Sequence, residues 1–205
     1  YEKVVVANGI DQFVRGVEHI DWRHGLDNSK TQIVPLRKSL RLKSSLCQAV
    51  GHFAEKIDFQ NWNLEPLPES HGGRVIVIFG DPMSKTFHSK LTATLKKDNN
   101  KPIDMLLCVP PDWVESDGSG GRQSRVASHY RNWNLEVWDA VDPEYRGEYP
   151  TSLEQYRIVQ YDSCRGLEGW IVVNFALDEF FDHKKRTAEF SDVDKSDIFF
   201  DEQVS

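Results

Sequence analysis

Apolar residues along the chain fall into two kinds of segment. Short continuous runs at 3–7, 74–79, 103–109, 135–138, 156–161 and 170–174 read as strands. The run Arg74, Val75, Ile76, Val77, Ile78, Phe79 is apolar enough for a strand covered on both faces. Elsewhere the apolar positions recur every three or four residues. Leu42, Leu46, Ala49, Val50, Phe53 and Ile57 predict a helix over 42–57, and Phe87, Leu91 and Leu95 predict one that stops at Asp98, Asn99 and Asn100. A shorter helix is expected near 124–132, and another begins over 177–181. The proline- and glycine-bearing stretch 61–73 and the glycine-rich 115–123 read as loops, the second as a flexible one.

Strands alternating with helices, the strands apolar throughout, predict an α/β fold: a mostly parallel sheet wrapped on both sides. In such sheets, ligand groups occupy loops at the carboxyl ends of strands. No internal repeat or low-complexity segment interrupts this order.

Composition narrows the reading. A chain of 205 residues, 39% hydrophobic and 28% charged, is long enough for one good core or two small ones. No apolar run approaches the roughly 20 residues of a membrane span, and no secretory leader opens it. The three cysteines, Cys47, Cys108 and Cys164, are odd in number and far apart. They form neither a disulfide framework nor a Cys-x-x-Cys pair, so a reducing cytoplasm is expected. The seven histidines show no zinc-like interval, and no metal site of that kind is expected. A net charge of −7 argues against a nucleic-acid binder over its whole surface but leaves room for a local basic stripe. Acids concentrate between Asp178 and Glu202, which reads as a solvated or mobile tail. The opening at Tyr1 rather than Met suggests an excised or processed piece.

Three polar stretches carry candidate chemistry. Between the strands at 156–161 and 170–174 lie Asp162, Ser163, Cys164, Arg165, Gly166, Leu167 and Glu168, a permissive glycine between groups that could hold a charged ligand. A plain hairpin turn would also account for it. Ahead of the first helix stand Leu36, Arg37, Lys38, Ser39, Leu40 and Arg41, with Lys43 beyond. Cations at the positive end of a helix often serve an anion, though a solvated basic helix start explains them too. After the strand at 3–7 come Asn8, Gly9, Ile10, Asp11 and Gln12, which an Asn-Gly turn between strands would equally explain.

The stretch from Asp162 to Glu168 resembles motif V of the UvrD/Rep-like superfamily 1 DNA helicases, roughly His-Ser-x-Lys-Gly-Leu-Glu. Aspartate replaces the histidine and arginine the lysine. Leu36 to Arg41 is similar to motif IV, Leu-x-x-Asn-Tyr-Arg-Ser, without its Asn-Tyr. Gln12 matches the glutamine of motif III, Gly-Asp-x-x-Gln, with Asn8-Gly9 in place of Gly-Asp. The three stand in the family's order and span most of the chain. The resemblance implies a RecA-like, P-loop NTPase-like three-layer fold. It implies the end of a first lobe or a linker over 1–30, a second RecA-like helicase domain over 31–181, and an acidic tail over 182–205. It also implies that Gln12 senses the γ-phosphate of ATP, that Arg41 neutralises phosphate charge in the transition state, and that Gly166 and Glu168 border the nucleotide, with Glu168 on the ribose. Ser163 and Arg165 would lie near single-stranded DNA (or RNA) or the nucleotide. The partner would be the missing first RecA-like lobe, and ATP and Mg²⁺ would bind the full-length parent rather than this piece.

Some parts of such a motor are missing. No Gly-x-x-x-x-Gly-Lys-Ser/Thr cradle occurs; Gly80 to Thr86 lacks the glycine before Lys85. No arginine-bearing motif VI follows motif V. Asp178-Glu179 follows an apolar run as a magnesium-binding pair would, but a solvated helix start is the simpler reading. The piece alone is therefore expected not to hydrolyse ATP. Two other readings stand beside the motor. One is a non-catalytic module that keeps the lobe's shape, and the other is a nuclease using Asp139, Asp142 and Glu144 to hold Mg²⁺.

Overall fold

The computed structural model describes residues 30, 38–56 and 64–190. They belong to two compact units, with a division between Ile78 and Phe79. Gln12 and the strand expected at 3–7 lie outside the described residues.

In the first unit, β1 (Lys38–Ser39) pairs in parallel with β2 (Glu65–Pro66), and α1 spans Ser44–Lys56. The helix falls where the spacing of Leu42 to Ile57 placed one, and Cys47 and Ala54 are its buried side chains. Its first amides are already used: Ser44 donates to the Ser70 carbonyl at 2.7 Å and Ser45 to that of Gly72 at 3.0 Å. An alanine methyl at Gly73 would come within 2.8 Å of Leu46 Cγ, and φ there is +85°, so only glycine lets the chain lie against α1.

Residues 74–79, expected to form a strand, belong to no ladder among the described residues. Exposure runs from 58% at Ile76 to 94% at Phe79. Branched apolar residues favour extended backbone, but a strand exists only where a neighbour supplies hydrogen bonds.

The second unit is built on a four-stranded sheet of β3 (Met105–Val109), β6 (Val137–Asp139), β7 (Tyr156–Gln160) and β8 (Ile171–Asn174). Its spatial order is β6-β7-β3-β8, and every pairing is parallel. All five residues of β3 are buried, as expected of a central parallel strand. Met105, Leu107 and Val109 face the larger core, under α2 (Lys85–Lys97) and α3 (Arg125–Asn132). Leu106 and Cys108 face a smaller cluster with Ala140 and Val159, overlaid by Trp138, Tyr161 and Cys164. The α/β class and parallel sheet expected from the sequence are therefore present.

The helices are cut by local chemistry. Ser84 and Ser124 cap α2 and α3, their hydroxyls accepting from the amides of Phe87 and Ala127. Asp98 closes α2, and Asn99 adopts φ +57°, the left-handed step asparagine tolerates. The stretch 115–123, expected as a flexible loop, is instead a hairpin: β4 (Val114–Ser116) pairs antiparallel with β5 (Arg122–Ser124). Asp117 makes its turn, one carboxylate oxygen accepting from the amides of Ser119 and Gly121. The turn helix α4 (Pro143–Arg146) follows β6, and α5 runs over Leu177–Phe190, well past the Phe181 at which the sequence pattern fades.

His88 on α2 lies among the rings of Tyr130, Trp133 and Tyr156, at centroid distances of 4.8, 5.5 and 5.4 Å. Its Nδ1 is buried without a hydrogen-bond partner, and burial lowers the imidazole pKa. The unfolded chain then binds the proton more tightly, so this contribution to stability is complete above about pH 6.5 and is lost as pH falls through the lower folded value. Between pH 7.5 and 5.5 the wild-type urea midpoint should drop, and His88→Phe should flatten that drop. Equal slopes in the two proteins would show that His88 titrates normally.

Candidate functional site

The sequence candidates Ser163, Arg165, Gly166 and Glu168 share the connection from β7 to β8. Because β7 and β8 are both parallel to β3 and flank it, this connection must return from the carboxyl end of the sheet to its amino end. It does so without a helix of the usual crossover length. β7 runs into a 3₁₀ turn, Tyr161–Ser163, closed by Cys164 N–H on the Tyr161 carbonyl at 3.3 Å. Leu167 N–H then bonds the Cys164 carbonyl at 3.0 Å, with Arg165 and Gly166 as the two central residues. Gly166 has φ +77°, the third-position conformation for which a type II turn requires glycine.

The return is close to the strand it crosses. A methyl on Gly169 would lie 3.0 Å from the Leu106 amide nitrogen and 2.9 Å from the Ile171 carbonyl, so backbone stands where a side chain would be. Trp170 N–H reaches the Asp104 carbonyl at 2.7 Å. Arg157 in β7 secures the same end. Its Nε donates to the Ile103 carbonyl at 2.6 Å and its Nη2 to the Glu168 carbonyl at 2.7 Å. Ser163 thus belongs to the carboxyl end of the sheet, while the Glu168 backbone is held near the amino end. The sequence pattern puts all four residues in one loop between two strands. The loop is one element, but its two halves serve opposite ends of the sheet.

At the carboxyl end, α5 is fastened to the strand termini by polar contacts. Lys184 Nζ meets Asp162 at 2.9 Å, His183 and Arg186 both reach Asp112, and Glu179 accepts from the Trp113 indole at 2.8 Å. The Tyr161 hydroxyl donates to the Phe175 carbonyl at 2.9 Å, and its ring stacks on Phe180 at 4.4 Å. Glu179, half of the acidic pair considered for magnesium, therefore anchors a helix.

Cys164 packs onto the small buried cluster that contains Cys108 of β3. The proximity of the two thiols is the largest influence on both groups: it lowers the Cys164 pKa and raises that of Cys108, which burial raises further. Burial and Asp162 oppose the change at Cys164, a backbone hydrogen bond and Arg165 assist it, and the thiol donates to the Tyr161 carbonyl at 3.0 Å.

Arg41, the remaining described candidate, belongs to the first unit and is exposed. Ser39 Oγ accepts from its amide at 3.3 Å and from that of Leu42 at 3.0 Å, which shapes the entrance to α1. With Ser44 and Ser45 amides taken by carbonyls, an anion there would meet side chains rather than the helix amides.

Two of the three acids of the nuclease reading, Asp139 and Asp142, have structural employment. Asp139 accepts from the Ser124 amide at 2.8 Å, and burial raises its pKa. Asp142 accepts from the amides of Arg122 at 2.6 Å and Glu144 at 2.8 Å, which hold its pKa down. Both carboxylates thus pin β5 beside the end of β6. Among the described residues, no group of three or more His, Cys, Asp or Glu side chains is placed to hold a metal ion. No described helix is long and apolar enough to cross a membrane.

No family model matches the chain, and neither a curated protein nor a solved structure matches it.

Proposed function

We propose that this chain contains the second RecA-like lobe of a superfamily 1 ATP-dependent DNA helicase or translocase, supplying one wall of the ATP site and part of the single-stranded DNA track. The observation that carries the reading is the 161–170 connection: a glycine-centred turn between an arginine and a glutamate, joining two strands that flank the centre of a parallel sheet. The order of the three motif-like stretches supports it. Phosphoryl transfer asks for positioned cations more than for covalent chemistry, and Arg41 would supply one. Glu168 would take the ribose, Gly166 would let the backbone approach the nucleotide, and Ser163 with Arg165 would face nucleic acid. Gln12 would complete the γ-phosphate contacts. The P-loop and the magnesium ligands would come from the first lobe.

The test is ATP hydrolysis by the full-length parent, with and without single-stranded DNA. DNA-stimulated turnover is expected, and Arg41→Ala should lower kcat by roughly 10²–10³-fold. Glu168→Ala should chiefly raise the KM for ATP. Turnover indifferent to both changes would leave the motif matches accidental. A parent that binds no nucleotide would select the non-catalytic module.

A further inference from the structure

We propose that Cys164 and Cys108 form a reversible oxidation site, whose disulfide fastens the 161–170 connection to the central strand β3. Three observations meet there. Both thiols belong to one small cluster on the second face of the sheet, where Cys164 packs against the buried residues that include Cys108. Cys108 is 1% exposed in the middle of the sheet, whereas Cys164 is half-buried and directly follows a 3₁₀ turn. Cys164 also opens the turn that carries Arg165 and Gly166, its carbonyl accepting from Leu167.

This asymmetry sets the order of events. An oxidant of peroxide class reaches Cys164 first. The Cys164 thiolate attacks one peroxide oxygen, the O–O bond breaks, and the departing hydroxide takes up a proton as water, leaving a sulfenic acid. The Cys108 sulfur then attacks the Cys164 sulfur. The S–S bond forms as the S–O bond breaks, and the second hydroxide leaves with the Cys108 proton as water. Two thiols and one hydrogen peroxide become one disulfide and two waters. The sulfurs must close from packing within one cluster to about 2.05 Å, and the movement falls to Cys164 because β3 is held on both sides. A thiol pressed against an attacked sulfur is the arrangement for resolving a sulfenic acid before it oxidises further. The consequence would be a ligand loop locked in oxidising conditions and released by a dithiol reductant. The site does not depend on the helicase reading, and its test uses no nucleotide.

The full chain would be treated with hydrogen peroxide, unfolded in an alkylating agent, and its cysteine peptides identified by mass spectrometry without reduction. A Cys108–Cys164 cross-linked peptide should appear, with Cys47 alkylated, and dithiothreitol added after the peroxide but before alkylation should leave all three cysteines alkylated and no cross-link. Adding dimedone should trap little sulfenic acid at Cys164 in the wild type and several-fold more in Cys108→Ala. Free Cys108 beside an over-oxidised Cys164, or a cross-link involving Cys47, would overturn the proposal. So would equal dimedone labelling of the two proteins. If Cys108→Ala fails to fold, the wild-type peptide map decides alone.

Discussion

Replacing Phe175 by alanine is expected to lower the stability of the sheet unit by about 3–5 kcal/mol, the cost of emptying a fully enclosed aromatic site. Phe175 is 2% exposed and follows β8 directly. Its ring meets Phe87 of α2 edge-on, at 6.2 Å and 75°, and lies 6.0 Å from Trp113, just beyond β3. Its backbone is engaged as well, donating to Cys108 and accepting from Tyr161. One residue therefore joins helix, central strand and the start of the 161–170 connection. The next residue, Ala176, has φ +45°, a strained conformation held by these neighbours. Urea unfolding should show the loss as a lower midpoint at unchanged slope, and Phe175→Leu, which keeps most of the volume, should cost less than about 1.5 kcal/mol. An alanine variant within about 1 kcal/mol of wild type would mean the site collapses around the gap.

Much of the sheet unit was legible because its signals are local. α2 announces itself by Phe87, Leu91 and Leu95 and by the Asp98, Asn99, Asn100 stop, and β3 by an unbroken apolar run. The glycine of the 161–170 turn was legible for the same reason, since φ +77° is a demand one residue makes of its own backbone. The missed features depend on partners distant in sequence. The β4–β5 hairpin is pinned by Asp139 and Asp142, whose carboxylates hold the amides of Ser124 and Arg122, so a glycine-rich stretch that reads as loop is a ladder. Residues 74–79 err the other way, with every local mark of a strand and no ladder among the described residues. At the site, Cys108 reads as one more buried strand residue until β3 and β7 are adjacent. The backbone spread of Ser163 and Glu168 follows from parallel pairing, which no motif states.

Arg157 is the clearest such omission, and its removal is the second large effect expected. In sequence it is the one charged residue of an otherwise ordinary strand, Tyr156–Gln160. In the fold its guanidinium bridges two carbonyls, those of Ile103 ahead of β3 and Glu168 ahead of β8, and partial burial lowers its pKa. A hydrogen bond to a charged group contributes about 1.5–3 kcal/mol, and two sharing one side chain do not add in full. Arg157→Ala should therefore cost about 2–3 kcal/mol. The loss should concentrate where the return crosses the sheet, so amide exchange at Glu168, Gly169 and Trp170 should accelerate well beyond that at Leu106 and Leu107. Arg157→Lys should recover only part of the protection, because an ammonium lacks the planar fork that reaches both carbonyls. Equal acceleration at the loop and in β3 would make Arg157 a general stabiliser of the unit. Loop-confined acceleration would make it the residue that sets where the Glu168 backbone stands at the amino end of the sheet.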